Sequence, residues 1–125
     1  MDAIAEGRRS MLLIRSELIP PDITVLHLTG RVSMGRPCQD IETYVDELIR
    51  QKSTKVVLDL SDVQRVDSTG FGTIVMSAGK FKKAGGVFRV AGAKGIVEEM
   101  AHTSNLPTII PFHPTVAEAV AAFSA

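Results

Sequence analysis

The run Val56 to Leu60, VVLDL, constrains the fold of this chain more than any other stretch. Its apolar residues are almost continuous, which is typical of a parallel-sheet strand that is covered on both faces. A polar turn is expected next, and the segment Asp67 to Gly70 then begins a helix. This strand, turn and helix unit predicts a layered α/β fold. It also puts the Ser68 hydroxyl at a helix N-terminus, where backbone N–H groups lack partners.

The chain before VVLDL predicts a hairpin and a helix. Two strand-like runs, 11–18 and 23–30, flank two prolines that cannot continue a sheet ladder, so we expect an antiparallel pair. A glycine-punctuated loop over 30–37 leads to an amphipathic helix over 38–51.

After VVLDL, helical and strand-like segments continue to alternate. The predicted elements are a helix over 70–84, a strand over 86–91, a helix over 94–103, a brief strand around 108–110 and a closing helix over 115–123. The face of the first of these helices that we interpret as solvent-exposed holds Gly72, Thr73, Met76, Ser77, Lys80 and Lys83. We therefore expect a flexible N-terminus over 1–10 and a single α/β domain over 11–125. Its mixed, mostly parallel sheet would have four to five strands, an N-terminal antiparallel strand and four helices.

Composition argues against several classes of function. Fourteen basic and fourteen acidic residues cancel, so the charge pattern that binding to nucleic acid requires is missing. No apolar run reaches the roughly 20 residues of a membrane span, and residues 1–10 do not resemble a secretory signal. A single cysteine, Cys38, forms no internal disulfide and fits a reducing compartment. We predict a cytoplasmic protein that binds neither nucleic acid nor membrane.

Two isolated polar side chains have structural interpretations. His27 shares a strand face with apolar neighbours and has no second ligand nearby, which favours a packed or rim histidine over a metal site. Asp59 interrupts VVLDL near its end, where a carboxylate can cap the turn at Ser61. We expect no metal and no cofactor.

Ser68 admits three interpretations from its position alone: a helix cap, a nucleophile or a site of modification. A hydrolase of the G-x-S-x-G type would need glycine at Val66, and none of the three histidines can be assigned as its base. The aspartic protease pattern fails because Thr69 stands where glycine is required, and the lysine of a P-loop is absent. Cap and modification site remain open.

The sequence VVLDLSDVQRVDSTGFG, with the helix and the Ala84-Gly85-Gly86 segment after it, resembles the core of the STAS domain family, in particular the stand-alone anti-sigma-factor antagonists. The resemblance runs from about Leu12 through Phe123. It implies a STAS-like sandwich and a binding protein that is not an enzyme. Ser68 occupies the position that a partner, both anti-sigma factor and serine kinase, phosphorylates in that family.

The resemblance also implies a switch and its contact residues. Unphosphorylated, the protein would sequester the kinase and free a sigma factor; phosphorylated, it would release the kinase until a serine phosphatase resets it. We expect a monomer or weak dimer. The residues predicted to contact the partner are Ser33, Asp67, Thr69, Gly70, Gly72, Met76 and Lys80.

One loop departs from the family pattern. Acidic residues commonly follow the glycine equivalent to Gly30, as in G-E-x-D, whereas this chain has Arg31, Val32 and Ser33. Met34, Arg36 and Cys38 in the same loop would then tune recognition of a different kinase, or indicate another pathway. The alternative function is a STAS module that senses a nucleotide or lipid, or belongs to a stress-sensing assembly, with Ser68 only capping its helix.

Overall fold

The computed structural model describes residues 12–124, so the N-terminus expected to be flexible lies outside the described residues. The strands in this range are β1 (Leu12–Ile19), β2 (Ile23–Val32), β3 (Lys55–Val66), β4 (Val87–Ala91) and β5 (Phe112–His113). The helices are α1 (Arg36–Arg50), α2 (Ser68–Lys83), α3 (Gly95–Thr103) and α4 (Val116–Ala122), with a 3-10 turn at Leu106–Thr108. Within the described residues, the predicted mixed sheet with four helices is confirmed.

The five strands form one sheet in the order β1-β2-β3-β4-β5. β1 pairs antiparallel with β2, as the prolines of the connecting turn predict, and the other three pairs are parallel. VVLDL lies in β3 at the centre of the sheet, with all five of its residues buried. Burial of each large aliphatic side chain contributes about 1.5 to 3 kcal/mol, so this strand anchors the fold.

Helices cover the two faces of the sheet unequally. The larger core joins one face to α1, α2 and α3 through fully buried side chains such as Ile41, Ile74 and Phe81. Of the described helices, α4 alone packs on the opposite face, where Ala119 and Val25 share a smaller core. Ser68 belongs to the better covered side of the sheet because α2 lies there.

The predicted polar turn after VVLDL is wrong, because β3 continues to Val66. β2 likewise continues to Val32, through residues that we assigned to a loop. The two extensions pair with each other, which satisfies their backbone groups, and Val63 and Val66 turn inward while Arg65 stays exposed. This extended pairing brings the β2–α1 loop to the start of α2.

Two smaller predictions are also wrong. Thr73 and Ser77 of α2 are buried instead of exposed, because α2 packs beside α1 as well as on the sheet. The brief strand predicted around 108–110 is instead the end of a 3-10 turn, Leu106–Thr108, followed by a bend, and the last strand comes later, at Phe112–His113. Pairing with β4 begins only at Pro111, the second proline of the segment 107–111. The carbonyl of Pro111 accepts a hydrogen bond from Val90 N at 2.9 Å.

Candidate functional site

Asp67, and not Ser68, caps helix α2. Its backbone is extended (φ −86°, ψ 179°), and Oδ1 accepts a hydrogen bond from the backbone N of Gly70 at 2.7 Å. This is the usual geometry of an aspartate N-cap. Ser68 is therefore the first residue of the helix, and its side chain is exposed. Of the two interpretations of Ser68 that the sequence left open, the helix cap is therefore wrong.

The second oxygen of Asp67 fixes the loop that follows β2. Oδ2 accepts from the backbone N of Met34 at 3.0 Å, and the Asp67 backbone N donates to the Val32 carbonyl at 3.1 Å. One carboxylate thus bridges the β2–α1 loop and the first turn of α2. Both of its oxygens are engaged within the domain, which gives Asp67 a structural role in addition to the partner contact predicted for it.

Gly70 provides the close approach between these two segments. A Cβ at this position would lie 2.3 Å from the Val32 carbonyl oxygen, and the residue is buried. Gly72, one half-turn further on, is exposed, and a Cβ added there would meet no heavy atom within 4 Å. Of the two glycines predicted to contact the partner, Gly72 is therefore accessible, while Gly70 lies beneath the surface.

Ser68 lies in a cleft of about 530 Å³ between the ends of β2 and β3 and helix α3. The described residues that line the cleft are Arg31, Val32, Ser33, Arg65, Val66, Asp67, Ser68 and Met100. Sequence reasoning placed Ser33, Asp67 and Ser68 at the site but missed Arg65 and Met100, and it noted Arg31 only as a departure from a family pattern.

The remaining predicted contact residues extend along α2. Thr69 is exposed on the first turn, and Met76 is 55% exposed two turns beyond Ser68. Lys80 lies further along, where its Nζ donates to Asp46 Oδ1 at 3.0 Å. The structure thus joins Thr69, Gly72 and Met76 to the Ser68 region, while Lys80 is paired with α1.

The loop residues Met34, Arg36 and Cys38 differ in accessibility. Met34 is 72% exposed and Arg36 is exposed, whereas Cys38 is buried with its thiol donating to the Ser33 carbonyl. Burial raises the pKa of the Cys38 thiol, with a smaller opposing contribution from the Thr73 side chain. Cys38 therefore lies beneath the loop, on the core side, and Met34 is the exposed apolar residue of the loop.

A second polar cluster lies on the opposite face of the sheet. His27 Nδ1 is 2.6 Å from Asp59 Oδ2, and His27 Nε2 is 2.7 Å from Glu17 Oε1. Asp59 Oδ1 accepts from both the hydroxyl and the backbone N of Ser61. The prediction of a packed or rim histidine is confirmed. Asp59 contacts Ser61 as predicted, but within strand β3 and not at a turn.

The pKa of the Asp59 carboxyl reflects these contacts. Burial acts to raise it, but the hydrogen bonds from Ser61 and the interaction with His27 together hold the pKa below its ordinary value. The other two histidines also have neighbours away from the cleft, His113 near Arg89 and His102 near Glu98. No histidine is among the described residues around Ser68.

Neither a metal centre nor a membrane-spanning helix is found within residues 12–124. In that range no group of histidine, cysteine, aspartate or glutamate side chains is arranged to hold a metal ion. No helix in the same range combines the length and apolar character that crossing a bilayer requires.

Comparison with known proteins gives concordant matches. The STAS domain family model matches residues 18–119. A protein of Thermotoga maritima, provisionally named an anti-sigma factor antagonist, is 32% identical over 75 residues. This alignment covers 60% of the present chain and 66% of the relative, slightly less than two thirds of its length.

Solved structures share the fold at lower sequence identity. The crystal structure of an anti-sigma factor antagonist from Thermotoga maritima, again a provisional name, superposes with a TM-score of 0.82 at 24% identity, covering 90% of this chain and 95% of that one. SpoIIAA in its unphosphorylated form gives 0.76 at 17% identity, with 90% and 96% covered. The phosphorylated form of Bacillus SpoIIAA gives 0.69 at 16% identity, with 89% and 99% covered. At these identities the structures establish the fold.

Proposed function

This chain belongs to the STAS domain family, and we propose that it is an anti-sigma-factor antagonist switched by phosphorylation of Ser68. Without phosphate the domain binds a partner that is both anti-sigma factor and serine kinase, and so frees a sigma factor. With phosphate it releases the partner until a serine phosphatase restores it. The domain is the substrate of the kinase and has no catalytic role of its own. The cytoplasm is its expected location.

The observation that carries the proposal is the exposure of Ser68 on a firmly held helix start. Asp67 and Gly70 fix the backbone on either side of it, while the serine hydroxyl itself has no hydrogen-bond partner among the described residues. A kinase needs a reachable hydroxyl in a reproducible position, and this arrangement provides one. The match to the named antagonist of Thermotoga maritima, and the existence of SpoIIAA in two phosphorylation forms, support the same assignment.

The surface around Ser68 suits a protein partner. Met34, Met76 and Met100 are 72%, 55% and 42% exposed around the cleft and along α2. Methionine is flexible and polarizable, and it is over-represented at surfaces that bind other proteins. Gly72 lets a second chain approach the helix closely between Ser68 and Met76.

Phosphorylation then opposes binding more than it affects the fold. A phosphate adds about −1.5 to −2 charge, and at a helix N-terminus the dipole stabilises it by roughly 0.3 to 1 kcal/mol. Under a bound partner the same charge would be removed from water with no cation supplied by the partner, which costs on the order of 2 to 5 kcal/mol, or about 30-fold or more in affinity. The second effect is larger, so the phosphorylated domain stays folded and the partner dissociates.

The test is phosphorylation by the histidine-kinase-like anti-sigma factor of the same organism, with ATP and mass mapping of the product. We expect one phosphate on Ser68 and none in Ser68→Ala. Ser16→Ala is the control, because it removes an exposed hydroxyl on β1, outside the predicted contact surface, and should leave phosphorylation unchanged. A phosphate that remains in Ser68→Ala would rule out the assignment of Ser68.

A further inference from the structure

Two arginines beside Ser68 have no acidic partner in the described part of the chain. Arg31 of β2 and Arg65 of β3 are register neighbours, both are exposed, and both line the cleft that contains Ser68. Among residues 12–124 neither forms an ion pair or a side-chain hydrogen bond. By contrast, Arg36 pairs with Asp40, and Arg50 pairs with Glu47.

The acidic residue of the cleft does not neutralise this pair. Asp67 is the carboxylate among the described lining residues, and its two oxygens accept from the backbone N–H groups of Gly70 and Met34. The lining of the cleft therefore includes two arginines without a partner among residues 12–124, an exposed serine and a carboxylate already engaged with the backbone. Paired guanidinium groups of this kind are typical ligands of a phosphate, whose oxygens they can bind two at a time.

We propose that Arg31 and Arg65 bind the phosphoryl group of phosphorylated Ser68 within the same chain. The inference rests on the proposed function, since it requires Ser68 to be the modified residue. The two arginines together carry a charge close to the opposite of a phosphoserine, about −1.5 to −2. The phosphate would be compensated inside the cleft, although Asp67 lies next to it in the chain.

This arrangement changes what the partner encounters. Before phosphorylation the arginine pair, which has no acidic partner among residues 12–124, is a positive patch at the edge of the contact surface. Afterwards the same groups are occupied by the phosphate and withdrawn from any acidic side chain of the partner. Phosphorylation thus replaces a positive patch on the binding surface by a nearly neutral one in a single step.

The proposal can be tested without a kinase, by incorporating phosphoserine at position 68 during translation. The phosphorus NMR signal of that residue is titrated with pH in the wild-type background, in Arg31→Gln/Arg65→Gln and in Arg50→Gln. The second pKa of an uncomplexed phosphoserine is about 6. Nearby positive charge favours the dianion, so we expect a wild-type midpoint lower by about half a unit or more.

The variants distinguish this pair from general surface charge. The double variant should return the midpoint towards about 6, whereas Arg50→Gln, at the far end of α1, should leave it unchanged. In 1 M salt the wild-type midpoint should move closer to the value of about 6 for an uncomplexed phosphoserine, because the Debye length falls to about 3 Å. If the double variant does not fold, the single variants Arg31→Gln and Arg65→Gln should each show part of the change.

Two outcomes would overturn the inference. One is a midpoint that is identical in the three proteins. The other is an unchanged midpoint combined with slower phosphoryl transfer from ATP in the double variant, which would assign the arginines to the terminal phosphate of the kinase's nucleotide. Because the midpoint is measured on a phosphate introduced without the kinase, its value does not bear on whether Ser68 is the natural phosphorylation site.

Discussion

The carboxylate of Asp67 accepts a hydrogen bond from the backbone N of Met34 at 3.0 Å, across 33 positions of sequence. The same side chain caps α2 through Gly70. The helix start that presents Ser68 and the loop after β2 are therefore held by one residue. We therefore expect substitutions of Asp67 to lower the stability of the domain, in addition to any effect on binding of the partner.

Replacing Asp67 by alanine should destabilise the domain by about 2 kcal/mol, since it removes an N-cap worth about 0.5 to 2 and a loop hydrogen bond worth about 1. Asp67→Asn, which keeps an acceptor oxygen, should cost less. Urea unfolding measures both. The control is Asp62→Ala, an exposed β3 carboxylate without a described side-chain partner; equal losses in the two alanine variants would contradict the bridging role.

The two glycines of α2 should respond in opposite directions to the same substitution. Gly70→Ala directs a methyl group at the Val32 carbonyl oxygen and should cost about 1 to 3 kcal/mol. Gly72→Ala has open space and should gain about 0.5 to 1 kcal/mol, because alanine is the better helix former. Thermal unfolding of the two variants measures both effects. A Gly70→Ala variant as stable as the wild type would show that the start of α2 does not contact the end of β2 as described.

Acid should remove the contribution of the Asp59 cluster to stability. The pKa of the folded carboxyl is lowered, so its stabilisation is complete above the unfolded value of about 3.9 and disappears as pH falls through the folded value. The stability difference between wild type and Ser61→Ala should be constant above about pH 5 and shrink below about pH 4. Denaturant unfolding across this pH range measures it, with Ser16→Ala on exposed β1 as the control; a difference that grows on acidification would have the wrong sign.

Met76→Ala should weaken binding of the anti-sigma factor kinase about tenfold or more, equivalent to about 1.4 kcal/mol, while changing the unfolding free energy by less than about 0.5 kcal/mol. Met76 is more than half exposed, so little of the core depends on it. Leu18→Ala, similarly exposed on β1, should bind normally. Calorimetry compares the affinity of the wild type, Met76→Ala and Leu18→Ala for the kinase. Equal affinities of the two variants would exclude Met76 from the interface.

Sequence patterns predicted the elements that local chemistry determines. Apolar continuity identified β3, the double proline identified the turn between β1 and β2, and a four-residue motif directed attention to Ser68. The closing helix predicted over 115–123 begins with a local cap, in which Glu118 N donates to Thr115 Oγ1. In each case the deciding residues lie within a few positions of one another.

The features that the sequence did not predict correctly depend on contacts between segments that are distant in the chain. The polar end of β3 resembles a turn because only pairing with Thr29 to Val32 makes it a strand, and that register is not visible locally. The adjacency of Arg31 and Arg65 depends on the same pairing. Thr73 and Ser77 look exposed until α1 packs against α2, and Gly70 looks like a surface residue until the Val32 carbonyl is placed above it.

The central claim is that phosphate on Ser68 controls association with the anti-sigma factor kinase. Its most direct test is the dissociation constant of that kinase for the unmodified chain and for the chain carrying phosphoserine at position 68, both first shown to be folded. We predict that the phosphorylated chain binds at least about 30-fold more weakly. Equal dissociation constants for the two forms would contradict the account.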